Sequence, residues 1–160
     1  MPLTFAYGSN MDAQAMAQRC PRGQWLGRAR LPRHRVALMP DGYATLVRDV
    51  AATAHGVLWE LSFGDLAALD RYEGDFYAKV SQPVLREGGA PVRALIYFGK
   101  SFGKPGTRLV RAPDDYVEKI VAAAVQAGLP GEHVVFLRRL GGEDLAPPTR
   151  FRAIKNPNFL

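Results

Sequence analysis

The sequence predicts an α+β fold: a strand-rich core flanked by helices. Three observations carry that expectation. Short alternating apolar runs recur between Leu3 and Phe98, and helical periodicity appears in only three or four places. The two patterns do not alternate as regular strand–helix–strand units would. So many short strands in one chain can close, or nearly close, into a small barrel.

The elements follow in order. Leu3, Phe5 and Tyr7 alternate as a strand would, until Gly8-Ser9-Asn10 stops the run. Met11, Ala15 and Met16 then recur at helical spacing; Ser9 or Asn10 can cap that helix, with Asp12 in its first turn. Pro21-Arg22-Gly23 breaks it. Residues 24–31 and 34–39 read as two strands separated by Pro32, and Pro40-Asp41-Gly42 is a turn. A short strand over 44–48 and a longer one over 54–61 come next. Ser62 with Asp65 resembles a capping box that opens a helix carrying Phe63, Leu66, Ala67 and Leu69. Residues 77–85 and 92–98 read as strands around a Glu87-Gly88-Gly89 turn. Pro113 suits the first turn of a helix that runs to about Ala127 and closes at Gly128. A further helix is expected over 132–140. From Gly141 onward, with Pro147, Pro148 and Pro157, the chain reads as an irregular tail.

Length and composition bound the function classes. At 160 residues, 48% of them hydrophobic, residues 1–160 read as a single domain with an irregular tail over 141–160. No apolar run approaches the ~20 residues of a membrane span. Met1-Pro2-Leu3-Thr4 lacks the basic region of an export signal, and the lone Cys20 cannot form an internal disulfide, so a cytoplasmic location is expected. Nothing near Cys20 in sequence would lower its pKa, and it receives no catalytic role. The net charge of +6 favours anionic partners. It gathers in two clusters, Arg28, Arg30, Arg33, His34 and Arg35, and then Arg138, Arg139, Arg150, Arg152 and Lys155. Neither is interleaved with aromatics or set in a reader motif, so a solvated basic surface is expected and nucleic-acid binding is not.

Two stretches carry candidate chemistry. The first is the glycine bend Tyr7-Gly8-Ser9-Asn10, where main-chain N–H groups can approach a ligand and suit a carboxylate or a developing oxyanion. The second is Leu69-Asp70-Arg71-Tyr72-Glu73-Gly74. Glu73 falls at a helix C-terminus, where the dipole disfavours a carboxylate; burial would push its pKa further toward the range of a general base. Asp70 and Asp75 read as capping and turn residues. His34, His55 and His133 have no metal-ligand spacing, and no metal is expected. No Gly-x-Ser-x-Gly elbow supports Ser9 as a nucleophile, and no dinucleotide fingerprint follows the first strand. Residues 99–108 are basic and glycine-rich, suited to a lid over an anionic substrate, but lack the spacing of a phosphate-binding loop.

Together, Tyr7-Gly8-Ser9-Asn10 and Leu69-Asp70-Arg71-Tyr72-Glu73-Gly74 resemble the gamma-glutamylcyclotransferase-like family. Tyr97 at a strand end, Pro113-Asp114-Asp115-Tyr116 and Gly128-Leu129-Pro130 extend the resemblance over roughly residues 3–130. It implies a small mixed β-barrel with peripheral helices, and an internal cyclisation of a small anionic gamma-glutamyl amide to 5-oxoproline with release of an amine. It also implies Glu73 as general acid/base, substrate contacts from Tyr7, Gly8, Ser9, Asn10, Tyr97 and Tyr116, and no cofactor. Read from the sequence alone, Tyr97 and Tyr116 could equally be core residues. Two departures bear on the substrate. Only Asp75 and Phe76 separate Glu73-Gly74 from Tyr77, and Asp114 stands where relatives often have Ser. A non-catalytic member of the same fold, binding a small anion or a protein, is the alternative. The sequence offers no coiled coil or other sign of oligomeric state.

Overall fold

The structure, a computed structural model, describes residues 1–100 and 111–142. Residues 101–108 of the expected lid, the tail from 143 and the basic residues Arg150, Arg152 and Lys155 lie outside them. Five strands form a closed barrel: β1 (Leu3–Ala6), β2 (Gln24–Leu38), β3 (Ala44–Glu60), β4 (Tyr77–Arg86) and β5 (Pro91–Gly99). The order around the barrel is β1-β3-β2-β4-β5. Five pairings give this ring its closure. Four are antiparallel: β1 with β3, β2 with β3, β4 with β5, and β2 with β4, which meet only at Ala29–Arg86 and Arg30–Leu85. A parallel contact between Thr4 and Leu95 joins β1 to β5. Four helices accompany the barrel: α1 (Ala13–Arg19), α2 (Phe63–Glu73), α3 (Tyr116–Gln126) and α4 (Gly131–Leu140). The expected α+β barrel is therefore the observed fold.

Three local expectations are corrected. Ser9 and Asn10 do not cap the first α-helix; Ser9–Met11 form a 3-10 turn, and Asp12 is the cap, its carboxylate accepting from Gln14 N and Ala15 N. Residues 24–38 and 44–60 each make one strand, not two. The register jumps from Pro32–Thr53 to His34–Arg48, and Arg33 takes a φ of 61° between them. A proline costs no ladder hydrogen bond at such an irregularity, so both strands bend at one corner and the pairing resumes beyond it. The third helix begins at Tyr116, after a turn in which Tyr116 N bonds Pro113 O.

The barrel interior and the helix contacts bury one apolar cluster that includes Phe5, Val57, Leu58, Leu69, Ile96 and Leu137. β1 and β3 approach so closely that a Cβ on Gly56 would stand 2.1 Å from the Ala6 carbonyl oxygen. Only glycine fits there. Ser62 caps α2 through Asp65 N, whereas the Asp65 carboxylate accepts from Arg22 N and ties α2 to the turn after α1. Gly128, at φ 69°, closes α3 with the paired bonds Gly128 N to Val125 O and Leu129 N to Ala124 O. α2 thus ends at Glu73, with Gly74 as its C-cap, and α3 runs from Tyr116 to Gln126.

Candidate active site

Tyr7, Gly8, Ser9, Asn10, Glu73, Tyr97 and Tyr116, separated by up to 109 residues in sequence, line one pocket together with Thr4, Ala44 and Tyr77. β1 supplies one wall and runs into the Gly8-Ser9-Asn10 turn. The last residue of α2 supplies the carboxylate. Gly8 is the position where that turn passes beneath α3: a Cβ would fall 3.6 Å from Ala44 Cβ and 3.7 Å from the Tyr116 hydroxyl. Because Ser9 and Asn10 begin a helical turn, their N–H groups have no acceptor within it and are available to a ligand.

Glu73 is held on one side. Asn10 Nδ2 donates to Glu73 Oε1 at 2.6 Å, and Arg19 Nη1 donates to Asn10 Oδ1 at 2.6 Å. The Asn10 main chain is pinned as well, its carbonyl accepting from Trp59 Nε1 at 2.9 Å. Burial raises the Glu73 pKa above the ordinary carboxylate range, and the Asn10 hydrogen bond and the Arg19 charge only partly oppose it. Burial is thus the cause on which the base reading rests.

Four tyrosines surround the carboxylate. Burial raises the pKa of Tyr7, Tyr77, Tyr97 and Tyr116, so each is a neutral phenol at pH 7. Three protons are committed. Tyr7 donates to Tyr97 O, Tyr77 to Ala44 O at 2.8 Å, and Tyr97 to Asp70 Oδ1 at 2.6 Å. Tyr116 is different: its oxygen accepts from Ala44 N at 3.1 Å, which leaves its O–H to donate into the pocket. Thr4, 2% exposed, also lines the pocket, and its Oγ1 has no partner among the described residues. An unpaired buried hydroxyl is costly unless something fills the site.

The sequence reading missed three contributors. Asp70, read as a capping residue, accepts from Tyr97 on one oxygen and from Lys79 Nζ at 2.6 Å on the other. Burial works against its charged form, but those two hydrogen bonds outweigh it and hold its pKa below the usual carboxylate range. Arg19 and Tyr77 are the others. No local pattern marks a residue whose only relevant neighbour is distant in sequence. Cys20 is buried, and its thiol is pushed up to about 11 by burial and by the Asp65 carboxylate, which keeps it unreactive.

A larger cavity, about 370 Å³ against about 30 Å³ at Glu73, lies elsewhere, between β2, the β4–β5 turn and the α3–α4 connection. Its carboxylate, Glu87, is tied to Arg28 at 2.6 Å, and Arg28 also donates to Gly128 O. Size favours this groove, but chemistry favours the smaller pocket, because of the two only it holds a half-buried carboxylate with its proton affinity raised. Among the described residues no group of His, Cys, Asp and Glu could hold a metal ion, and no helix is long and apolar enough to cross a membrane.

A small closed barrel with a half-buried carboxylate facing a Gly-Ser-Asn turn defines the class of protein. The chain belongs to the "Gamma-glutamyl cyclotransferase, AIG2-like" family, whose sequence model matches residues 4–118. No curated protein matches the sequence. Solved structures share the fold. One described as a gamma-glutamyl cyclotransferase is 22% identical, with 86% of each chain covered and a TM-score of 0.71. An uncharacterised protein from Homo sapiens is 24% identical over 85% of each chain, with a TM-score of 0.70. YkqA from Bacillus subtilis is 24% identical over 86% of this chain and 53% of that one, with a TM-score of 0.70.

Proposed function

We propose that the protein is a gamma-glutamylcyclotransferase-type enzyme that converts a gamma-glutamyl amide to 5-oxoproline and releases an amine or amino acid. The observation that carries this reading is the half-buried Glu73 carboxylate, its proton affinity raised, held through one oxygen by Asn10 and set opposite uncommitted donors. In the reaction the substrate's α-amino nitrogen attacks its own side-chain carbonyl carbon, and the bond to the leaving amine breaks. Nucleophile and electrophile belong to one molecule, so effective molarity supplies much of the rate once the chain is held folded.

The α-amino group is protonated at neutral pH and must lose a proton before it attacks. The attacking nitrogen goes from three hydrogens to one in the lactam, so Glu73 accepts two protons in turn and passes each to the leaving nitrogen, which departs as an ammonium with no proton gained or lost overall. A raised proton affinity suits both halves of the transfer. The Tyr116 hydroxyl and the N–H groups of Ser9 and Asn10 are the donors for the oxyanion and the α-carboxylate, which gives the Gly8 bend its purpose. Tyr97, whose proton goes to Asp70, keeps lone pairs free to receive the substrate ammonium. No cofactor is required.

The test is 5-oxoproline release from gamma-glutamyl dipeptides, gamma-glutamyl-lysine and glutathione by wild type and by Glu73→Gln. Turnover of one class, lost in the variant, is the expected result and names the leaving group. The tightness of the pocket favours one second reading, a non-catalytic member that binds a small anion or a protein. Saturable binding without 5-oxoproline would establish that reading instead.

A further inference from the structure

Arg19 lies in the last turn of α1, half-buried, and its guanidinium sits 3.9 Å from the centroid of the Tyr72 ring, the residue before Glu73. Its hydrogen bond ends on Asn10 Oδ1, not on the carboxylate. That choice has a consequence. A primary amide has one accepting and one donating end, and a guanidinium can only donate. Arg19 therefore forces the Asn10 oxygen toward itself and the Asn10 NH2 toward Glu73.

We propose that Arg19 is a positioning residue for Glu73: through the Asn10 amide it dictates that Glu73 is met by a donor, which secures Oε1 and leaves Oε2 for the substrate proton. Without Arg19 the amide is free to turn over. Its oxygen would then face Glu73, a geometry that suits only the protonated acid. The loss of the cation acts in the same direction, because the Arg19 charge favours the ionised form. Burial pushes the Glu73 proton affinity up, and the Arg19–Asn10 pair opposes that rise. The Trp59–Asn10 bond holds the main chain in place, so the side-chain amide is the part left to turn.

This inference deepens the cyclotransferase reading and rests on it for its catalytic meaning, but its first test does not need turnover. The Glu73 side-chain carboxyl carbon is followed by 13C NMR titration in wild type, R19M and R19K, with the signal assigned by its absence in E73Q. The titration midpoint should rise by about one pH unit in R19M and return most of the way in R19K, which restores a donor and a charge. The same midpoint in R19M as in wild type, from protein folded by circular dichroism, overturns the proposal. If R19M does not fold, R19Q keeps a donor but removes the charge; it should still raise the midpoint, by less, and an unchanged value there also overturns the proposal. With an active wild type, the acid limb of kcat/KM should move to higher pH in step with the NMR midpoint. A shifted midpoint in a protein that turns over no gamma-glutamyl compound would leave the positioning role standing and remove the cyclotransferase reading.

Discussion

The two cavities contain the same pairing, a glutamate held at 2.6 Å by a nitrogen donor, and they differ in almost everything else. Glu87 meets the Arg28 guanidinium in a groove where its side chain is 59% exposed. Glu73 meets an uncharged amide in a pocket of about 30 Å³, where it is only half-exposed. An exposed ion pair is screened and worth little. A buried carboxylate without a full counter-charge keeps a raised proton affinity, which a proton-transfer site can use. Distance alone does not separate a surface bridge from a candidate catalytic group; burial and the partner's charge do.

The largest expected effect would break the comparison outright. Glu73→Gln should lower 5-oxoproline release by about 10³-fold or more, within the range of a lost general acid/base, whereas Glu87→Gln should leave the rate within about twofold. Equal losses, read by amine or 5-oxoproline assay, would mean that the groove takes part in the chemistry.

The next effect concerns stability beside the groove. His133, 5% exposed, packs 5.1 Å from His55, and its Nε2 has no partner among the described residues. Burial, with His55 adding to it, lowers its pKa from 6.5 to about 4. A depressed value means that the unfolded chain takes the proton first. Stability is therefore full above about pH 6.5 and falls as pH drops, until the native state protonates near pH 4. The loss should approach about 3 kcal/mol, and urea titrations of wild type and His133→Leu across that window would show it as a pH-dependent difference.

Smaller effects sharpen the description of the pocket. Tyr116→Phe removes the one phenol proton not already committed among the four tyrosines and should cost about 10- to 100-fold in kcat. Tyr7→Phe, whose hydroxyl serves Tyr97 O, should chiefly reduce stability. An unchanged kcat in Tyr116→Phe would move the oxyanion contact to the Gly8 turn alone.

The smallest predicted effect has the opposite sign to its partner. A raised carboxylate pKa means that the folded state pays for ionising Glu73, so stability is greater below the unfolded value of 4.5 and is lost as pH rises through the folded one. At pH 7, Glu73→Gln should raise Tm by a few degrees, as at sites that trade stability for activity. Glu87→Gln should lower Tm slightly or leave it unchanged. Calorimetry on both variants checks the pair.

Much of this was legible in the chain. The α+β class, the strand at Leu3, the capped helix from Ser62 and the closures at Gly74 and Gly128 follow from alternation, capping residues and glycine, all local signals. Of the residues that meet in the pocket, the Tyr7–Asn10 bend and the helix end at Glu73 carry a local mark, whereas Tyr97 and Tyr116 rest on the family resemblance and Thr4 and Tyr77 on neither. Where local rules failed, a neighbour outside the window had intervened. Pro32 and residues 49–52 look like strand breaks, yet each occurs opposite the other, so one bent hairpin accommodates both.

What only the tertiary structure decided is the company each group keeps. The fold brings the Ser9–Met11 turn beside the end of α2, where Asn10 meets Glu73 and the surroundings take it partly out of water. It gives Asp70 the Tyr97 hydroxyl and the Lys79 ammonium, and it makes the same helix carry one carboxylate with raised and one with lowered proton affinity three residues apart. Local sequence determines backbone conformation because capping and turn energies act within a few residues. Burial and hydrogen-bond partners depend on chain segments tens of residues away, and they set the proton affinity of an acid.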